Sequence, residues 1–104
     1  MLDSTYTILI DSGLDKILRK LPEDVKKVFN RKLEYFKSNP NHPSLNTKPY
    51  QVSDKFLKNL EIDQVFEFYI NRRDYRCVLY VSHLKKEVII AFIGNHTQIY
   101  NRLK

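Results

Sequence analysis

An α+β domain is the fold class this sequence predicts: an antiparallel-dominated sheet with two N-terminal helices packed on one of its faces, in the order β-α-α-β-β-β. Three observations carry that expectation. Residues 65–70, 75–82 and 87–93 are runs dominated by Phe, Tyr, Val and Ile, separated by short polar breaks, which is the pattern of successive hairpin-linked strands. Residues 14–36 instead repeat apolar side chains at the i, i+3, i+4 and i+7 spacing of helices. With 104 residues, 42% hydrophobic content, seven Tyr and six Phe, the chain is sized for one domain, residues 1–104, with a modest core.

Taken in order, residues 5–10 (Thr-Tyr-Thr-Ile-Leu-Ile) are a β-favouring run expected to join the sheet. Asp11-Ser12-Gly13 then reads as a helix entry, with Asp15 three residues after Ser12 as an echo of a capping box. Leu14, Ile17, Leu18 and Leu21 supply the stripe of a short first helix. Pro22-Glu23-Asp24 places a proline and two acids where a first turn tolerates the one and its dipole favours the others. Val25, Val28, Phe29, Leu33 and Phe36 continue as a longer second helix ending near Ser38, because Asn39-Pro40 disfavours helical backbone. Residues 39–60, with Pro40, Pro43 and Pro49, read as an ordered surface connection with room for a helical turn over residues 52–60.

The following strands sort their side chains by face. Phe66, Phe68 and Ile70 alternate with Glu67, Tyr69 and Asn71, and the Asn71-Arg72-Arg73-Asp74 break returns the chain antiparallel. On the return, Tyr75, Cys77, Leu79 and Val81 share one face while Arg76, Val78 and Tyr80 share the other, which brings Arg76 near Glu67. Residues 88–93 are apolar without interruption, the mark of a central strand covered on both faces. That strand ends at Gly94, followed by a polar exit containing His96 and Tyr100.

The formal charge of +6 points to a polyanionic partner and says nothing of the fold. No apolar run approaches the ~20 residues that span a bilayer, and Asp3 stands where a signal peptide carries positive charge, so the expectation is a cytoplasmic protein without a membrane partner. Cys77 is alone and, by its phase in the strand, reads as core. Without Cys or His pairs at metal-ligand spacing, and without a glycine-rich phosphate loop, neither a metal nor a cofactor is expected.

This order of elements, together with Leu21-Pro22-Glu23-Asp24-Val25, Asn39-Pro40-Asn41-His42-Pro43-Ser44-Leu45, Tyr75-Arg76, and Ile93-Gly94-Asn95-His96 followed by Tyr100, resembles the RelE/ParE superfamily of bacterial toxins over nearly the whole chain. The resemblance implies a toxin of a type II toxin–antitoxin system: a metal-independent, ribosome-dependent endoribonuclease that cuts mRNA and inhibits translation. Its implied partners are a small acidic DNA-binding antitoxin, mRNA and the ribosome. Arg76 matches the hairpin arginine of that family, and His96 and Tyr100 match its terminal His and Tyr. Where the RelE type member carries a lysine pair on the first hairpin strand, this chain has Glu67 and Tyr69, which moves the implied mechanism toward acid–base catalysis by Glu67 and His96. The alternatives are a ParE-like non-enzymatic inhibitor of DNA gyrase and an inactive nucleic-acid-binding relic of the fold.

The residue types suit the chemistry independently of the resemblance. Metal-free RNA cleavage needs a base for the 2′-hydroxyl proton, cationic donors for the phosphate and an acid for the leaving 5′-oxygen, and Glu67, Arg76, His96 and Tyr100 are candidates for those roles. Tyr69, Tyr80 and Tyr100 offer rings for unstacked bases, while Lys48, Lys55, Lys58 and Arg73 are candidate phosphate contacts. On sequence alone a cross-strand ion pair accounts for Glu67 and Arg76 equally well, and His96 and Tyr100 have surface and packing readings of their own.

Overall fold

The computed structural model describes residues 5–39, 45–70 and 75–103. Along the chain these form β1 (Thr7–Ile10), α1 (Leu14–Lys20), α2 (Glu23–Ser38), β2 (Lys48–Pro49), α3 (Asp54–Leu60), β3 (Gln64–Tyr69), β4 (Arg76–Ser82), β5 (Glu87–Gly94) and α4 (His96–Arg102). The sheet runs β1-β5-β4-β3-β2, with β1 parallel to β5 and every other pairing antiparallel. The α+β class and the antiparallel-dominated sheet with α1 and α2 on one face are as expected. The polar break expected at residues 71–74, and Arg73 with it, lies outside the described residues, as do residues 40–44.

Period-two patterning makes two cores from one sheet. Phe66, Phe68, Ile70, Cys77, Leu79, Val81, Val88, Ile90 and Ile93 face α1 and α2, where Leu14, Val25, Phe29 and Phe36 complete the larger core. Phe36 stacks on Phe68 with ring centroids 6.0 Å apart. Glu23 and Asp24 stand in the first turn of α2, where the helix dipole favours them. At the start of α1 the expected Ser12 cap is absent. Gly13 is the N-cap, without a side-chain cap bond, and its N–H donates to the Asp11 carboxylate at 2.9 Å, so a turn closed by Asp11 takes the place of the capping box.

The opposite face carries a second core that the six-element order lacks. Val65, Val78, Ala91, Phe92, Ile99 and Leu103 gather there under α3 and α4, with Tyr50, Val52, Phe56, Leu57 and Tyr80 packed around them. β5 serves both cores through a β-bulge: Val78 pairs with Phe92 and Leu79 with Ile90, leaving Ala91 as the extra residue. Ser53 caps α3 by accepting from the Phe56 N–H at 3.1 Å. The polar exit after β5 is the helix α4, closed by a full capping box in which Asn95 accepts from the Gln98 N–H and Gln98 from the Asn95 N–H, each at 2.9 Å. Its Arg102 guanidinium lies 4.3 Å from the Phe92 ring centroid. Among the described residues no helix is long and apolar enough to cross a membrane.

Two outcomes follow for stability. A Cβ at Gly94 would stand 3.1 Å from both Cβ and Oε1 of Gln98, so Gly94→Ala is expected to push α4 off the strand end and cost ~1–3 kcal/mol, read as a lower denaturation midpoint. An unchanged midpoint would mean that α4 does not pack closely against Gly94. Cys77 is fully buried, and burial pushes its thiol up and keeps it protonated, so a maleimide is expected to label it only as fast as the chain unfolds. Rapid labelling of the folded protein would show that β4 opens on its own.

Candidate active site

β3 and β4 place the chemistry. In their register Glu67 faces Val78 and Tyr69 faces Arg76, so Glu67, Tyr69 and Arg76 all project from the sheet face opposite α1 and α2. On the far side of β4, Arg76 pairs with Gly94, which offers no side chain, and the guanidinium reaches across to the first residue of α4. Arg76 Nη1 donates to Glu67 Oε1 at 3.2 Å and lies 3.3 Å from His96 Nδ1. Because a guanidinium only donates, His96 Nδ1 is the acceptor in that contact, which puts the ring proton of a neutral imidazole on Nε2. Gly94 and the Asn95 cap together aim the imidazole, for without the close turn at Gly94 the start of α4 would stand away from β4.

The cluster grades from buried to exposed. The Glu67 and Arg76 side chains retain only 10% and 17% of their exposure, whereas His96 and Tyr100 are exposed. Two of its buried polar atoms, Glu67 Oε2 and Arg76 Nε, have no hydrogen-bond partner among the described residues. Two cations frame Tyr69: Arg76 Cζ lies 4.7 Å from its ring centroid and Lys48 Nζ 5.2 Å. The Tyr69 carbonyl accepts from Lys32 Nζ at 2.6 Å, which ties this end of β3 to α2. Burial lowers the Lys32 ammonium from its usual range.

The structure thus brings Glu67, Arg76, His96, Tyr69 and Lys48 together and sets other candidates apart. Tyr80 projects from the same face but is packed under α3, its ring 6.2 Å from that of Phe56, and burial pushes its phenol up. It is a wall of the second core rather than an open platform for a base. Lys55 and Lys58 are exposed on α3. Tyr100, 58% exposed on α4, lines a cleft together with a residue that the sequence leaves unmarked, Tyr50. The Tyr50 N–H donates to the Val65 carbonyl at 2.8 Å, extending the β2–β3 pairing. Its phenol is raised by burial first, then by Glu67 and Tyr100, with Arg76 opposing. A tyrosine directly after Pro49 in a connecting segment has no local signal marking it; only the pairing of β2 with β3 reveals it. Among the described residues no three His, Cys, Asp or Glu side chains gather to hold a metal ion.

No protein-family model and no curated protein matches this sequence. Solved structures match the fold throughout. The archaeal RelE–RelB complex from Pyrococcus horikoshii OT3 superposes with a TM-score of 0.61 at 17% identity, over 88% of this chain and 94% of that one. The RelB–RelE antitoxin–toxin complex from Methanococcus jannaschii gives 0.60 at 14% identity, over 92% and 99%. The intact RelBE toxin–antitoxin complex of E. coli gives 0.56 at 21% identity, over 86% and 95%. With the strand order, the helices on both faces and these superpositions together, the chain has the fold of the RelE toxins.

Proposed function

We propose that this protein is the toxin of a toxin–antitoxin pair and acts as a metal-independent endoribonuclease on mRNA at the ribosome. The observation that carries this reading is the Glu67–Arg76–His96 cluster: a carboxylate, a guanidinium and an imidazole within 3.3 Å contacts, with a buried carboxylate oxygen and a guanidinium nitrogen left over. Glu67 Oε2 is the acceptor for a 2′-hydroxyl proton, and the 2′-oxygen then attacks the adjacent phosphorus. Arg76, a rigid fork of donors, takes the charge that gathers on the nonbridging oxygens. Binding of the phosphate draws Nη1 away from His96, the freed Nδ1 takes up a proton from solvent, and the resulting imidazolium delivers a proton to the departing 5′-oxygen and returns to the neutral ring. The products are a 2′,3′-cyclic phosphate and a free 5′-hydroxyl. Tyr69 and Lys48 extend the cationic and aromatic surface along the strand that the phosphate backbone would follow, and Tyr100 offers a ring at its edge. The superposed RelE chains were solved with antitoxin, and a basic chain of net charge +6 suits an acidic antitoxin as its restraint.

Single-turnover cleavage of mRNA on programmed ribosomes is the test, with thermal stability measured on the same variants. Glu67→Gln is expected to lower cleavage ~10²–10⁴-fold, the range for a positioned proton-transfer group. Arg76→Ala is expected to lose about 10²–10³-fold by analogy with an oxyanion donor, and Arg76→Lys to recover only part of it. If the pair is structural alone, these variants will melt earlier while each folded molecule keeps its activity, and the catalytic assignment fails. In cells, induced expression is expected to stop translation before DNA synthesis. Early chromosome damage with intact messenger would instead mark a gyrase inhibitor.

A further inference from the structure

Residues 50–53 form a ridge between two clefts. One, of about 190 Å³, runs toward Asp63 and Gln64 and has an acidic wall that would repel a phosphate. The other, of about 430 Å³, lies between the ridge and α4 and carries no acid: it is lined by Tyr50, Gln51, Val52, Ser53, Tyr100 and Leu103. We propose that this second cleft is a base-recognition subsite, in which the Tyr50 and Tyr100 rings hold the nucleobase beside the scissile phosphate and the Gln51 amide reads its edge. The proposal rests on the endoribonuclease reading and names its sequence preference.

Four observations point to a base as the occupant. The cleft has tyrosine on two sides and Val52 and Leu103 as its apolar lining, the combination that accepts a flat, mostly apolar ring. Tyr50 lines this cleft and, bonded to Val65 where it continues the β2–β3 register, stands two residues along β3 from Glu67 on the same sheet face, so the cleft neighbours the cleavage cluster. The ridge is anchored, because Tyr50 is hydrogen-bonded to β3 and Ser53 is committed to the cap of α3, so the walls are in place before substrate arrives. With the Ser53 hydroxyl engaged, the exposed Gln51 side chain is the lining group with a planar donor and acceptor to offer. Bidentate pairing of a glutamine amide favours adenine among the bases.

The test separates recognition from cleavage. Trinucleotides U-N-U that lack the 2′-hydroxyl cannot be cut, and their affinities for the full chain are measured by NMR titration with each base at N. The expected result is tightest binding with adenine. Gln51→Ala should bring the four bases within about twofold of one another, Tyr50→Leu should weaken all four by about tenfold, and Tyr50→Phe should keep the wild-type order because the ring remains. Equal wild-type affinities for the four bases, no binding at all, or an unchanged order in Gln51→Ala would each overturn the subsite. Adenine-selective binding by a protein that fails to cleave programmed mRNA would leave the subsite standing and remove the nuclease.

Discussion

The register between β3 and β4 governs nearly everything else in this molecule. Pairing Glu67 with Val78 and Tyr69 with Arg76 sends Phe66, Phe68, Cys77 and Leu79 beneath α1 and α2, and in the same stroke puts a carboxylate and a guanidinium side by side on the other face. A slip of one residue would exchange the faces, burying Glu67 and Arg76 under helices while Phe66 and Phe68 met water. The large apolar core is therefore what holds the polar cluster in place. Val65 and Val78, on the cluster's own face, add a second constraint by anchoring the smaller core beneath α3 and α4.

Within that frame the Glu67–Arg76 pair sits where electrostatics cut both ways. Its side chains are largely out of water, so their attraction is stronger than at a surface, yet each ion has also lost hydration. Each partner uses only part of its hydrogen-bonding capacity among the described residues, leaving Oε2 and Nε unmatched there. A pair selected for stability alone would be expected to satisfy those atoms or to be replaced by apolar side chains of similar volume. Unmatched, ordered polar atoms are suited to a ligand that brings its own donor and its own negative charge, and that is the physical content of reading the pair as chemistry rather than as a strut.

Much of this was legible from patterning because strand faces follow a period of two. The alternation through Phe66–Ile70 and Tyr75–Val81 was enough to put Glu67 beside Arg76 and Cys77 in the core, and the unbroken Val88–Ile93 run told of a strand covered twice. What escaped was short or distant. α4 buries only Ile99, with Leu103 at its C-cap, too few for a helical period, although Asn95 followed three residues later by Gln98 was a capping-box signal in plain view. Tyr50 entered the site through a two-residue strand that no local propensity marks, and Tyr80 was taken from solvent by Phe56 of α3, a contact between segments far apart in sequence. The candidate site was thus readable where one hairpin builds it and obscure where separate segments converge.

The parallel pairing of β1 with β5 sets a timetable. Thr7–Ile10 finds its partner at Glu87–Ile90, so the first strand made waits unpaired until the last has emerged, and His96 and Tyr100 follow later still on α4. Contacts that close so long a stretch of chain form slowly relative to hairpins. A nascent or truncated chain that stops before β5 has Glu67 and Arg76 but neither the imidazole nor the helix that carries it. The Glu67–Arg76–His96 cluster is therefore among the last parts of the fold to close, after every strand of the sheet has been made.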